Sequence, residues 1–274
     1  ADATPDFDEV GFSHDGHVFH GSAQYTWAER LNLAFTFSQG FRAPSLSESV
    51  LAGDSGKYFH VPNHDLGPER SDTFELLGRL RLWEVEVGVA AYVSLLHDLV
   101  RREEREWEGQ TDIDGKPVAW NVNGGEGLLW GTELSLATDL GHGLSLRGAF
   151  TFTWGEEQRE DGDVPLSRIP PTFGHVALRY DTREGRPWRA FVETSLRFAA
   201  LQQRLSPEDE KDVRIPEGGT PGWTSWNLRA GIVVHDRYAF RLSVDNITNE
   251  AYRYHGSGLY AAGTNAVVTG ELRF

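Results

Sequence analysis

Charged side chains recur at every second position of several segments, and those positions are where this chain would do its chemistry. Glu75, Arg79, Arg81, Glu84, Glu86, Glu133 and Arg147 stand opposite aliphatic neighbours in the earlier segments. Arg189, Glu193, Arg197, Arg229, Arg241, Asp245, Glu271 and Arg273 do so in the later ones. Eight arginines meet seven acids in this set. The mixture suits two uses: a charged passage that selects solutes, or cross-strand ion pairs that fill an interior. Catalysis finds less support. Neither G-x-S-x-G nor H-E-x-x-H occurs, so the spacings that hold a nucleophile or a catalytic zinc are missing. Ser22 and His20 share a parity, but it is the polar one, which a lipid substrate would not reach. His60, His64 and His255 lack a metal-ligand spacing. Acidic runs at Glu156, Glu157, Glu160, Asp161 and Asp163, and at Glu208, Asp209, Glu210 and Asp212, lack the ordered spacing of a calcium loop. They read as solvated loops. No enzyme activity, cofactor or metal is expected.

The elements that must carry these side chains are strands. Eleven segments alternate with period two: 18–28, 30–40, 70–82, 84–98, 118–138, 143–155, 172–182, 187–200, 222–234, 237–246 and 264–274. In 143–155, Leu144, Leu146, Phe150, Phe152 and Trp154 share one face and Ser145, Arg147, Thr151 and Thr153 the other. Residues 4–13 give a weak twelfth. The connections alternate too. Short ones near Ala28-Glu29, Leu82-Trp83, 139–142, 183–186 and His235-Asp236 alternate with long ones at 41–69, 101–117, 156–171, 201–221 and 248–263. Short periplasmic turns and long extracellular loops produce this rhythm in outer-membrane barrels. An even strand count places both termini in the periplasm.

Aromatic residues sort by strand end. Tyr25, Trp27, Trp83, Tyr180, Trp188, Tyr238 and Phe274 lie near the short turns. Trp130, Trp154, Phe198 and Trp226 lie toward the long loops. Two such belts match the headgroup levels of a bilayer. The expected fold is all-β: a closed antiparallel transmembrane β-barrel of about 12 strands, one domain over 1–274 with 1–13 as a weak first strand. No run of about 18 apolar residues offers a transmembrane helix. The formal net charge of −15 argues against a nucleic-acid partner. The long loops hold 21 acids against 12 Lys or Arg, an acidic outer surface. The absence of cysteine is compatible with an oxidising compartment.

Several stretches resemble TonB-dependent outer-membrane receptors, in the family's order. Ser38-Gln39-Gly40-Phe41-Arg42-Ala43-Pro44-Ser45 leads to Glu48 in the manner of S-x-G-F-R-A-P-S-x-x-E. Asn63, Leu66, Pro68, Glu69 and Ser71, then Glu75 and Leu76, are similar to N-P-x-L-x-P-E-x-S…E-L. Asn121 and Asn123 before Gly131-Thr132-Glu133-Leu134, Arg168-Ile169-Pro170-Pro171, and Val244-Asp245-Asn246-Ile247-Thr248-Asn249 through Tyr252 follow. His255-Gly256-Ser257 and Gly263-Thr264-Asn265 resemble the family's last loop. The likeness covers about residues 30–274, the C-terminal half of such a barrel.

The resemblance implies a Gram-negative outer-membrane location, contact with lipid and lipopolysaccharide, and import of scarce ligands. The terminal Phe274 on an alternating strand resembles the signal read by the barrel-assembly machinery. The departure is that no plug domain or TonB box precedes the match. A TonB partner is therefore not expected, and passive passage or binding of a small solute is. The alternatives are a barrel with a blocked lumen acting as scaffold or adhesin, or a fragment of a larger siderophore- or cobalamin-type receptor. Unpaired strand edges in lipid cost several kcal/mol per polar group, so closure is expected within one chain or by pairing with a second copy.

Overall fold

Turn chemistry sets the strand pairing. In the computed structural model, which describes residues 13–159, 162–182 and 187–274, Ala28 and Glu29 have φ of 49° and 54°, and His235 and Asp236 have 51° and 55°. Two successive positive φ values make the two-residue turn whose twist matches antiparallel strands. Arg30 N donates to Trp27 O at 2.9 Å and Arg237 N to Val234 O at 3.1 Å, closing these turns. At 141–143 the chain passes through Gly141, His142 and Gly143 with φ of 79°, 57° and 85°, which is why two glycines stand there.

The elements in chain order are β1 (His20–Trp27), β2 (Leu31–Arg42), α1 (Leu46–Val50), β3 (Gly53–Asp54), β4 (Phe59–Val61), β5 (Glu69–Leu82), β6 (Val85–Glu104), β7 (Asp112–Ile113) and β8 (Lys116–Gly141). Then come β9 (Leu144–Gln158), β10 (Val164–Pro165), β11 (Phe173–Asp181), β12 (Trp188–Ala199), α2 (Pro207–Glu210), β13 (Trp223–Val234), β14 (Tyr238–Asp245) and β15 (Asn265–Leu272). The eleven long strands are hydrogen-bonded in the order β1-β2-β5-β6-β8-β9-β11-β12-β13-β14-β15. Each long strand therefore pairs with the long strand before it, as consecutive hairpins dictate. Their ranges follow the eleven alternating segments.

The departures from expectation lie in the long connections and at the sheet's edges. The 41–69 connection contains α1, β3 and β4, and β4 pairs with β8 in parallel. The 101–117 loop is shorter than expected, because β6 runs to Glu104 and β8 starts at Lys116. A bilayer needs only about 9–11 tilted residues per strand, so the 20 residues of β6 and 26 of β8 exceed a membrane crossing. Glu84 stands in the turn between β5 and β6 rather than on a strand, beside Trp83. Among the described residues nothing pairs β1 with β15. The expected closure at twelve strands is thus not seen, and 1–12, which hold nearly all of the weak first strand, lie outside the described residues. So do 183–186, a predicted short turn, and the loop acids Glu160 and Asp161.

Two compact units emerge. Of the described residues, one comprises 13–20, 38–72 and 95–127; the other comprises 21–37, 73–94, 128–159, 162–182 and 187–274. The first has a small core of Tyr58, Val61, Leu66, Val118, Ala119 and Val122, each at most 9% exposed. In the second, Trp223 stacks on Tyr252 with centroids 4.1 Å apart, beside Ala199. Ile215 and Ala239 are buried as well, but many large apolar side chains of the second unit are uncovered: Phe240 is 55% and Val268 77% exposed. No helix among the described residues is long and apolar enough to cross a membrane.

Candidate functional site

The pleat sends successive side chains to opposite faces, and pairing register brings the charged ones into rows. Arg179 on β11 lies opposite Glu193 on β12, which lies opposite Arg229 on β13. Glu193 forms an ion pair with each partner, at 3.8 Å from Arg179 and 3.7 Å from Arg229. Arg179 also donates to Asp181 at 2.7 and 2.8 Å and lies 3.8 Å over the Phe191 ring. On β14 and β15, Arg241 meets Glu271 at 3.2 Å, and Glu271 also meets Arg273 at 2.8 Å. On β5 and β6, Arg79 and Arg81 both reach Glu86, at 2.5 and 2.6 Å. Arg189 on β12 pairs with Asp236 in the β13–β14 turn at 2.5 Å.

The structure thus brings eight of the fifteen predicted residues into pairs with one another: Arg79, Arg81, Glu86, Glu193, Arg229, Arg241, Glu271 and Arg273. Arg197 instead donates to Tyr254 Oη at 2.8 Å. Glu75, Glu133, Arg147 and Asp245 stay on the strands with no ion pair to another described residue. Arg179 was missed by the sequence reading, although the alternation in 172–182 already put it on the charged face.

The residues expected to form aromatic belts are mostly exposed. Tyr25 and Trp27 are each 58% exposed and Phe274 is fully so. Trp83, Trp130, Tyr180, Trp226 and Tyr238 are also exposed, whereas Trp188 is half-buried. Trp154 is not bare: Arg204 lies 3.7 Å over its ring, and its Nε1 donates to Glu156 at 3.0 Å.

The family-like motifs turn out to be loop clamps. Ser45 caps α1 and closes a capping box with Glu48, and Glu48 accepts Arg42 at 2.9 Å. Arg42 also holds Glu69 at 2.5 Å. Burial opposes the charge of Glu48, yet hydrogen bonds from Arg42 and Ser45 outweigh it and hold the carboxyl below its ordinary range. Asn63 donates to Asn121 O, and Asn123 both accepts from Gly67 N and donates to Gly67 O, at 2.7–2.9 Å. In the second unit Ser206 and Asp209 form another capping box on α2. Asp209, 1% exposed, accepts from Ser167 at 2.8 Å and from the Arg168 backbone. Asp212 accepts Arg168 and Arg214. The Arg214 hydrogen bonds set the Asp212 carboxyl well below the usual range. Asn246 spans the last loop, donating to Glu250 O and Ala262 O at 2.9 and 3.1 Å. His255 Nδ1 meets Thr220 Oγ1 at 2.9 Å, and burial lowers the ring's pKa. No group of three or more metal-ligating side chains assembles among the described residues, His60 and His64 included.

Comparison with known proteins bears on the family and the fold. The family model described as TonB dependent receptor-like, beta-barrel matches residues 2–247. Hemoglobin-binding protein A of Haemophilus influenzae is 29% identical over 246 residues, 81% of this chain and 23% of that protein. Hemoglobin and hemoglobin-haptoglobin-binding protein A of the same species is 22% identical over 81% of this chain and 21% of its own length. This chain therefore spans less than a quarter of these curated relatives. Among solved structures, the copper transporter OprC superposes with a TM-score of 0.71 at 16% identity, over 93% of this chain and 39% of that one. The siderophore receptor PirA from Acinetobacter baumannii does so at 0.69 and 16%, over 92% and 40%. These identities speak to the fold alone. The family's members are receptors and transporters of the outer membrane, not enzymes. With a family match over most of its length, this chain belongs to the TonB-dependent receptor-like β-barrel family.

Proposed function

We propose that the chain forms part of the wall of an outer-membrane receptor barrel, its charged face toward the lumen and its aromatic belts in lipid. One observation carries this: the same strands present ion-paired rows on one face and uncovered apolar side chains on the other. A soluble sheet would bury that second face, since large contiguous apolar patches are not left in water. The edges of β1 and β15 are completed by further strands, of a longer chain or a second copy, because open edges are not stable in lipid. The acidic loops form the outer surface, where an extracellular ligand is received; capture of haemoglobin by the curated relatives favours that role.

Passage of small solutes along the charged face is the activity we assign. The paired rows favour a second reading, a blocked lumen serving as scaffold, since bridging side chains occupy the space a solute would use. Reconstitution in planar bilayers separates them. Steady conductance that changes ion selectivity in Glu193→Gln supports passage. A folded, inserted protein that conducts nothing refutes passage and leaves the scaffold.

A further inference from the structure

A cavity of about 360 Å³ lies on the charged face where β9, β11, β12 and β13 meet the long connections. Its floor is two rows fixed by register. Ala149, His175 and Arg197 face one another across three strands, and Thr151, Phe173, Ala199 and Trp223 do so across four. Small residues alternate with large ones there, and the hollow follows from that alternation. The roof is Arg168, Pro170 and Pro171 on one side and Thr220, Tyr254 and His255 on the other.

The lining is chemically one-sided. In a chain of net charge −15, no Asp or Glu contributes to it, while two arginines and two histidines do. Arg168 is neutralised by Asp209 and Asp212. Arg197 is not: among the described residues its guanidinium makes one hydrogen bond, to the Tyr254 hydroxyl, and no ion pair. An arginine fork offers five donors and matches a carboxylate in a two-bond geometry. Beside it stand flat apolar surfaces. Trp223 meets the Tyr254 ring edge-on with centroids 5.5 Å apart, and Phe173 and the prolines complete the walls. The volume sits at the low end of small-molecule sites, roughly 300–1,000 Å³.

We propose that this cavity binds a small aromatic carboxylate, its carboxylate on Arg197 and its ring against Trp223 and Phe173. The site lies within unit two and stands whether or not the sheet closes into a pore. It therefore fails or succeeds independently of solute passage.

The test is isothermal titration of the full chain in nanodiscs, with empty nanodiscs subtracted, using 1-naphthoate as probe. Saturable binding is expected, at least tenfold tighter than to 1-naphthalenemethanol, which keeps the rings and loses the charge, and than to hexanoate, which does the reverse. Arg197→Gln should weaken binding at least tenfold. Arg197→Lys should recover only part of it, because a point charge cannot replace the fork. Arg237→Gln, at the short-turn end of the strands, should change nothing. Equal affinity for the alcohol, undiminished binding by folded Arg197→Gln, or no saturable binding at millimolar naphthoate would each overturn the proposal.

Discussion

Glu193 has an arginine on each side, and its loss would leave Arg179 and Arg229 facing the same neutral side chain. Exposed ion pairs contribute about 0.2–1 kcal/mol each, and Glu193 is the most covered member of its row, 17% exposed. Glu193→Gln should therefore cost about 1 kcal/mol in urea unfolding from micelles, against almost nothing for Glu133→Gln, which pairs with no other described residue. Equal effects would mean that the rows do not contribute to stability. Alternation showed which residues share the charged face. It could not show who pairs with whom, because partner choice depends on register, and register is fixed by turns whose positive φ values fall on ordinary residues such as Ala28, Glu29 and His235. Arg197 was legible as a member of that face but not as an unpaired one, since its surroundings come from connections far away in sequence.

At the level of elements, the family-like motifs of the sequence describe loops, not a reaction centre. Arg168, Asp209 and Asp212 tie 166–171 to 206–215, and Ser206 caps α2 from a fully buried position. Ser206→Ala should cost about 1 kcal/mol, read as faster amide exchange in 206–212 with the strands unchanged. Acid should act on the same region in two steps. The lowered pKa of His255 keeps it neutral when folded, so the opened loop gains a proton once pH falls below about 6.5. Asp212 has its folded pKa depressed, so its contribution is present above the ordinary carboxylate range and lost below about pH 4. Protection factors in 206–215 and 252–258, which divide out the chemical slowing of exchange in acid, should fall modestly from pH 7 to 5 and further at pH 3; Asp212→Asn should remove the second fall. A flat profile would contradict this account of the loop. The long strands themselves were legible from period two, while α1, β3, β4, β7, β10 and α2 were not. They are too short to show a period, and their caps and partners come from distant segments.

The whole molecule presents an apolar strand face that, in the proposed membrane wall, lipid covers. Phe240→Arg would place a cation on that face, at a cost of about 2–4 kcal/mol near the bilayer midplane, and should lower the yield of inserted protein. Ala239→Arg is no control, since Ala239 is only 3% exposed; Ser243→Arg, on the charged parity of the same strand, should be tolerated. The most direct measurement uses the absence of cysteine in the chain. Single cysteines placed in turn from 238 to 244, spin-labelled in bilayers, report contact with oxygen in lipid or with a water-soluble nickel complex. Positions 238, 240, 242 and 244 should be reached by oxygen, and 241 and 243 by the nickel complex. Uniform access to the nickel complex along β14, or no alternation at all, would contradict a membrane wall.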